Sequence, residues 1–139
     1  MIVLDTNVVS ELLRARPDAN VLVWFSAQTP ARLHVTCITQ AEMLLGVALL
    51  PAGKRREYLQ QSMQTFFEVD FVSRDLPFDR DAAAAYADIT ASRRAAGRPI
   101  TILDAQIAAI CITAGASLAT RNTRDFEDCG LHLINPWLS

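Results

Sequence analysis

Short apolar runs alternate with longer segments of helical periodicity along the 139 residues of this chain. The first run, Ile2-Val3-Leu4, leads directly into the polar turn Asp5-Thr6-Asn7. A short apolar run between polar residues predicts a buried parallel strand, and apolar residues spaced by three and four predict an amphipathic helix. We predict strands at residues 2–4, 33–36, 117–120 and 131–134, with one more in the extended segment 69–78. We predict helices at residues 8–13, 19–27, 43–50, 54–67, 80–96 and 102–114.

This alternation of strands and helices predicts the fold class. Parallel strands are joined by long crossovers, usually helices, which cover both faces of the sheet. We therefore predict an α/β protein, a three-layer α/β/α sandwich around a parallel sheet of about five strands. No repeat, low-complexity segment or linker interrupts the pattern, so we expect one domain over residues 1–139.

Composition indicates a folded globular protein, since 51% of the residues are hydrophobic and 20% are charged. No apolar run approaches the length of a membrane span, and the N-terminus lacks the features of a signal peptide. We therefore expect a cytoplasmic protein without membrane contact. Cys37, Cys111 and Cys129 are widely spaced and form no CxxC pair, which argues against a disulfide framework or a zinc site.

Charge gives a mixed signal about nucleic acid as a partner. The net charge of −2 provides no global attraction to a polyanion. The basic residues are nevertheless almost all arginines, whose planar guanidinium suits phosphate. Each basic group is also typical of a solvated helix face, so both interpretations stay open. The groups are Arg14/Arg16, Lys54-Arg55-Arg56, Arg93-Arg94 with Arg98, and Arg121/Arg124.

Three carboxylates recur where a predicted strand or loop passes into a helix: Asp5, Glu42 and Asp104. A fourth polar position, Asn122 with Asp125 close behind it, follows the strand that ends at Thr120. In a parallel sheet, all of these positions fall on the edge formed by the carboxyl ends of the strands, where ligands bind.

Each carboxylate also has a purely structural interpretation. Asp5 can cap the following helix. Thr39-Gln40-Ala41-Glu42 has the spacing of a capping box, and Asp104 lies in a first helical turn, where the macrodipole favours acids. Asp104 is nevertheless set in a helix so apolar that we expect nearly all of it to be core. An acid in such surroundings needs compensation.

Carboxylates gathered at one edge repel each other by roughly 4 kcal/mol per close pair at an effective dielectric constant near 20. A divalent cation removes this penalty, and oxygen ligands select hard ions such as Mg²⁺ or Mn²⁺. Such a metal can activate water and stabilise charge on a phosphodiester. The set of residues therefore suits metal-assisted phosphodiester hydrolysis.

Other catalytic schemes fit less well. The sequence has no nucleotide-binding glycine loop, and Ser10 has no nucleophile elbow around it. His34 and His132 fall in predicted strands and suit structural roles better than catalytic ones. The nearest rival is aspartyl-phosphate chemistry at Asp5, but phosphatases of the haloacid-dehalogenase type carry a second Asp where this chain has Asn7.

Four motifs, taken together in this order and spacing, resemble PIN-domain toxins of the VapC/FitB-like branch of type II toxin–antitoxin systems. The resemblance extends over essentially the whole chain. The motifs are Leu4-Asp5-Thr6-Asn7, Thr39-Gln40-Ala41-Glu42, Leu103-Asp104-Ala105 with Ile107-Ala108-Ala109, and Leu118 to Phe126 before Asn135-Pro136-Trp137.

The resemblance implies a single PIN-like α/β/α domain with Mg²⁺- or Mn²⁺-dependent ribonuclease activity, inhibited by a small cognate antitoxin and usually dimeric. By position, Asp5, Glu42 and Asp104 are expected to bind the metal, with Thr6 and Asn7 shaping the turn of the first ligand. The fourth family position is often Asp. Here it is Asn122, which offers an oxygen without charge, so two outcomes stay open: a lower affinity for the metal, or assistance by Asp125.

Two functions therefore stay open. The first is an endoribonuclease toxin in which loop arginines, Arg121 and Arg124 above all, hold RNA phosphates. The second is a catalytically weak PIN protein that acts mainly as the partner of a DNA-binding antitoxin and reaches DNA only through it. Asn122 and the acidic pI of about 5.6 motivate the second. A different phosphoesterase on a similar edge is disfavoured, because no nucleophile motif accompanies it.

Overall fold

The computed structural model describes residues 1–138, which fold around a parallel sheet in the order β3-β2-β1-β4-β5. The strands are β1 (Ile2–Leu4), β2 (Leu33–Thr36), β3 (Asp75–Leu76), β4 (Ser117–Ala119) and β5 (Leu133–Ile134). The helices are α1 (Thr6–Leu12), α2 (Ala19–Ala27), α3 (Cys37–Ala48), α4 (Lys54–Thr65), α5 (Arg80–Ala95) and α6 (Ile102–Ala114). Short turns of other helix types cover Pro30–Arg32, Phe66–Asp70, Thr123–Phe126 and Pro136–Leu138.

The central strand β1 separates two hydrophobic layers, because alternate residues of a strand point to opposite faces of the sheet. Ile2 and Leu4 pack on one face with residues of α1 and α2, among them Val8 and Trp24. Val3 packs on the other face with α6 residues such as Ile107 and Ala108. Helix α5 covers the outer side of α6. The predicted three-layer α/β/α sandwich is thus confirmed.

The strand order places a topological switch point between β1 and β4. The chain runs outward from β1 to β2 and β3, and then returns to the other side of β1 for β4 and β5. Leu4 pairs with Ala119 at the carboxyl ends of these two strands, and the Asp5 amide donates to the Ala119 carbonyl over 2.9 Å. Such a switch point opens a crevice in which open α/β sheets bind ligands.

Helix α3 corrects one prediction. It begins at Cys37, directly after β2, and not after a capping box at Thr39. The Thr36 hydroxyl accepts a hydrogen bond from the Thr39 amide over 3.1 Å, so the cap lies three residues earlier than predicted. Glu42 therefore lies in the second turn of α3, where it has no capping role.

Helix α6 has the predicted bounds, but its first turn is not core. Ile102 is 62% exposed and Leu103 is 45% exposed, whereas the helix is buried from Ala105 to Cys111 apart from the partly buried Gln106. The polar end of α6 therefore lies at the sheet edge, in partial contact with solvent. No helix in the described part of the chain combines the length and apolarity needed to cross a bilayer.

Candidate active site

Asp5 is the innermost acid of the candidate site. Its side chain follows β1 and is only 4% exposed. One carboxylate oxygen accepts from the Thr6 amide over 2.8 Å, which caps α1. The other accepts from the Thr120 hydroxyl over 2.7 Å and from the Asn7 side-chain amide over 3.2 Å. Asp5 therefore serves as the helix cap and also lies at the switch point.

Burial raises the pKa of Asp5 to about 6, because the charged form is poorly solvated at this position. The negative charges of Asp104 and Glu42 contribute to this rise and the hydrogen bonds from Thr120 and Thr6 oppose it, so the pKa of about 6 is the net result. A carboxyl group with such a pKa is half-protonated near pH 6. It gains strongly from any neighbouring positive charge.

Glu42 is linked by hydroxyl groups to the turn that follows Asp5. The Thr6 hydroxyl donates to a Glu42 carboxylate oxygen over 2.8 Å and lies 2.9 Å from the Thr39 hydroxyl. Thr39 is fully buried and Glu42 is partly buried. The β1–α1 turn and helix α3 are thus joined through the side chain that follows Asp5.

Asp104 reaches the same edge from α6. It is partly buried, and its amide donates to the Thr101 hydroxyl over 3.3 Å at the start of the helix. Burial is the largest cause of its raised pKa, and the charges of Asp125 and Glu42 raise it further. The Thr101 bond and the positive charge of Arg93 lower it. Each of these acids therefore lies within the electrostatic field of others.

The loop after β4 contributes Asn122 and Asp125, which are both exposed. The Asn122 amide donates over 3.1 Å to the Thr120 hydroxyl, the group that donates to Asp5. Asp125 acts on Asp104 through its charge. We refer to Asp5, Glu42, Asp104 and Asp125 as the acidic edge. Asn122 lies beside this edge and adds no charge to it.

The acidic edge offers only oxygen ligands. Within residues 1–138, no three His, Cys, Asp or Glu side chains are already gathered tightly enough to enclose an ion together. Mg²⁺ commonly bonds only one or two carboxylates directly and keeps several of its waters. Dispersed carboxylates that repel each other, with a raised pKa at Asp5 and at Asp104, therefore fit a hydrated hard cation, and they do not fit a zinc-type cage.

Two hydroxyl groups are central to this arrangement although the sequence did not single them out as site residues. Thr120 is fully buried at the end of β4, and Thr39 lies behind Thr6. The available signal for Thr120 was its place as the last residue of a predicted strand. Its burial, however, depends on the pairing of β1 with β4. Asn7 completes the turn, because its side-chain oxygen accepts from the Arg121 amide over 3.1 Å.

The arginines differ in their exposure and in the groups they contact. Arg121 is exposed, and its guanidinium lies 5.1 Å from the centre of the Trp137 ring. Arg14 pairs with Glu11 over 3.1 Å. Arg93 is only 5% exposed, so the interpretation as a solvated helix face is wrong for this residue. Its side chain instead binds backbone carbonyls of the loop after β4.

Comparison with known proteins agrees with this architecture. The family model of the PIN domain matches residues 2–130. This chain belongs to the PIN-domain family. It is 46% identical over 137 residues to "VapC ribonuclease Y4jK" of Sinorhizobium fredii, with 99% of this chain and 98% of that protein covered.

Two further comparisons place this PIN domain near FitB proteins. The chain is 38% identical over 137 residues to "Toxin FitB" of Neisseria gonorrhoeae, with 99% of both proteins covered. A solved structure of FitAB bound to an IR36 DNA fragment contains a chain that matches with a TM-score of 0.92 at 39% identity. That match covers 99% of this chain and 96% of the other.

The raised pKa of Asp5 predicts how the stability of the metal-free PIN domain depends on pH. Between the unfolded value of 3.8 and the folded value of about 6, the folded state binds more protons than the unfolded state. The free energy of unfolding should therefore fall by roughly 3 kcal/mol as the pH rises through this window, and then level off.

Denaturant unfolding in EDTA at pH 4 to 7.5 measures this effect, with Asp5→Asn as the matched variant. The variant should lose most of the decrease between pH 4 and 6, because it has no titrating group at this position. An equally steep decrease in Asp5→Asn would contradict the assignment.

Thr120→Val should destabilise the protein at pH 7.5 by about 1 to 3 kcal/mol, because Asp5 and Asn7 both lose a buried hydrogen-bond partner. Thr120→Ser keeps the hydroxyl and should remain within about 1 kcal/mol of the wild type. Urea unfolding of the three proteins tests this expectation. Wild-type stability in the Val variant would show that the hydroxyl is dispensable.

Proposed function

We propose that this PIN-domain protein is the toxin of a type II toxin–antitoxin system and acts as a Mg²⁺- or Mn²⁺-dependent endoribonuclease. The observation that carries the proposal is the acidic edge at the β1–β4 switch point, where Asp5 is almost fully buried with a pKa raised to about 6. The names of the VapC and FitB relatives support ribonuclease and toxin functions.

Asp5, Glu42 and Asp104 are the residues we assign to metal binding. A bound divalent cation would supply a water of lowered pKa and positive charge next to the phosphodiester. The chain itself fixes the ligands: Thr120 and Asn7 orient the Asp5 carboxylate, and Thr6 orients the Glu42 carboxylate. Asp125 adds negative charge that acts on Asp104, whereas Asn122 supplies only an amide oxygen to the site.

Cationic side chains close to these acids suit the phosphates of an RNA strand. The Arg121 amide is bonded to Asn7, and the Arg121 guanidinium lies over Trp137. This contact holds the guanidinium in place without neutralising it. On the other side of Glu42, a groove of about 750 Å³ is lined by side chains that include Arg16, Arg55 and the exposed Tyr58. Arginine and tyrosine together suit single-stranded RNA, whose phosphates bind cations and whose bases stack on aromatic rings.

We infer the partners from the relatives. Since FitAB is a complex bound to DNA, we expect this chain to bind a cognate antitoxin and to reach DNA only through it. We also expect a cytoplasmic homodimer in which residues 1–139 form one PIN-like domain. Exposed apolar side chains on α3 and directly after its end, namely Leu44, Leu45 and Leu49, provide surface for such protein contacts.

The second candidate is a catalytically weak PIN protein that functions mainly as the antitoxin's partner. One observation favours it: Asn122 is uncharged, so the site carries one negative charge fewer than it would with an aspartate at this position. Fewer charges lower the affinity for a divalent cation. Under this alternative, metal binds but RNA is not cut.

The decisive test is RNA cleavage by antitoxin-free protein with Mg²⁺, Mn²⁺ or EDTA. Cleavage should require metal, and Asp5→Ala and Asp104→Asn should each reduce the rate by roughly 100-fold or more. Asp88→Asn, an exposed aspartate on α5, is the matched control and should retain the wild-type rate.

The same proteins distinguish the alternative. Metal-dependent cleavage that persists in Asp5→Ala would overturn the assignment of the site. If no RNA is cut although metal raises the melting temperature of the wild type and not of Asp5→Ala, the site binds ions and the partner function is favoured.

A further inference from the structure

Arg93 is a buried cation that binds the loop carrying Asn122 and Asp125. It lies on α5 and is only 5% exposed. One guanidinium nitrogen donates to the carbonyls of Asp125 and Glu127 over 3.0 and 2.9 Å, and lies 3.4 Å from the Cys129 sulfur. The Nε atom donates to the Arg98 carbonyl over 2.6 Å. Arg93 thus joins the end of α5 to the loop after β4.

The charge of Arg93 is not neutralised by direct contact. In the described part of the chain it makes no ion pair, so its partners are neutral carbonyl and thiol groups. Burying a cation without a counter-ion costs free energy unless hydrogen bonds and nearby negative charge compensate it. The positive charge of Arg93 lowers the pKa of Asp104 through space. Asp104, at the acidic edge, therefore supplies part of the negative charge that compensates the buried guanidinium.

The segment that Arg93 holds needs an anchor. Asp128 has a φ of 60°, a left-handed conformation that is costly for a residue with a side chain. Arg98 binds the same segment from the outer surface through ion pairs with Glu127 and Asp128. Two arginines therefore fix the loop, one from within and one from solvent.

We propose that Arg93 is a positioning residue for the acidic edge: by fixing the backbone at residues 125–129 from inside, it keeps the charge of Asp125 close enough to act on Asp104. The inference rests on the proposed function, since it concerns metal binding at that site. Arginine suits the role because its planar guanidinium donates in several fixed directions, whereas a lysine ammonium is a point charge. The loop sets the position of Asp125, and through it the field in which a cation binds.

Arg93→Lys tests the proposal best, because it retains a positive charge and loses the fixed donor geometry. A neutral variant would also remove electrostatic repulsion of the metal, so its two effects would oppose each other. Arg94→Lys on the exposed side of the same helix is the matched control. The readout is the Mn²⁺ concentration that gives half of the maximal rise in melting temperature, which requires no nuclease activity.

Arg93→Lys should raise this Mn²⁺ concentration about tenfold, as expected for loss of a residue that orients a metal site, and Arg94→Lys should not change it. In an Asp125→Asn background the effect of Arg93→Lys should largely disappear, because both changes act through the same loop. Arg98→Gln, which releases the loop only from the solvent side, should shift the concentration in the same direction by less.

A role in general stability alone would lower the metal-free melting temperature of Arg93→Lys and leave the half-saturating Mn²⁺ concentration unchanged. That result overturns the proposal. If Arg93→Lys does not fold, an Mn²⁺ response of Arg98→Gln equal to that of the wild type overturns it as well. If Mn²⁺ does not stabilise even the wild type, the proposed function itself fails and this inference fails with it.

Discussion

A carboxylate at the end of a hydrophobic strand needs hydrogen bonds to replace water, and Asp5 receives them from its own turn and from the neighbouring strand. Thr6 and Asn7 supply two of these bonds, and Thr120 supplies the third across the β1–β4 pair. The register of the two strands decides whether the Thr120 hydroxyl meets Asp5, because Leu4 is paired with Ala119 just before them. The fold and the site are therefore fixed by the same pairing.

These hydrogen bonds do not fully compensate the Asp5 carboxylate for its loss of solvation. They lower its pKa, but burial dominates and leaves the pKa at about 6. The negative charges of Glu42 on α3 and Asp104 on α6 repel the Asp5 carboxylate and raise its pKa. The pKa of Asp104 is itself raised. Groups with strongly perturbed pKa values cluster at functional sites. Under the proposed function, the free energy lost at this edge in the metal-free state would become the driving force for binding a cation.

The sequence was sufficient for features that depend on local patterns. The bounds of β1, α2 and α6 follow from apolar runs, caps and breakers, and the sheet edge follows from the alternation of strands and helices. Asp5, Glu42 and Asp104 could be placed on one edge for the same reason. The cap of α3 was predicted at Thr39 and lies at Thr36, because strand β2 passes into the helix without an intervening loop.

Features that depend on tertiary contacts were not predictable in this way. Thr120 becomes a partner of Asp5 only through strand pairing, and Arg93 reaches residues more than thirty positions away along the chain. The exposure of Ile102 and Leu103 likewise reflects the position of the first turn of α6 at the edge of the sheet. A pattern of apolar residues shows that a helix is amphipathic or buried, but it does not show at which residue the helix extends beyond the elements that pack against it.

The central claim is that Asp5 is held in an unfavourable acidic environment that a divalent cation relieves. Titration of the Asp5 side-chain carboxyl carbon by NMR, with and without Mg²⁺, measures this directly. We expect a pKa of about 6 in the metal-free protein and a decrease of about one unit or more at saturating Mg²⁺. A metal-free pKa close to the ordinary value of 3.8, or a raised pKa that Mg²⁺ leaves unchanged, would contradict the account.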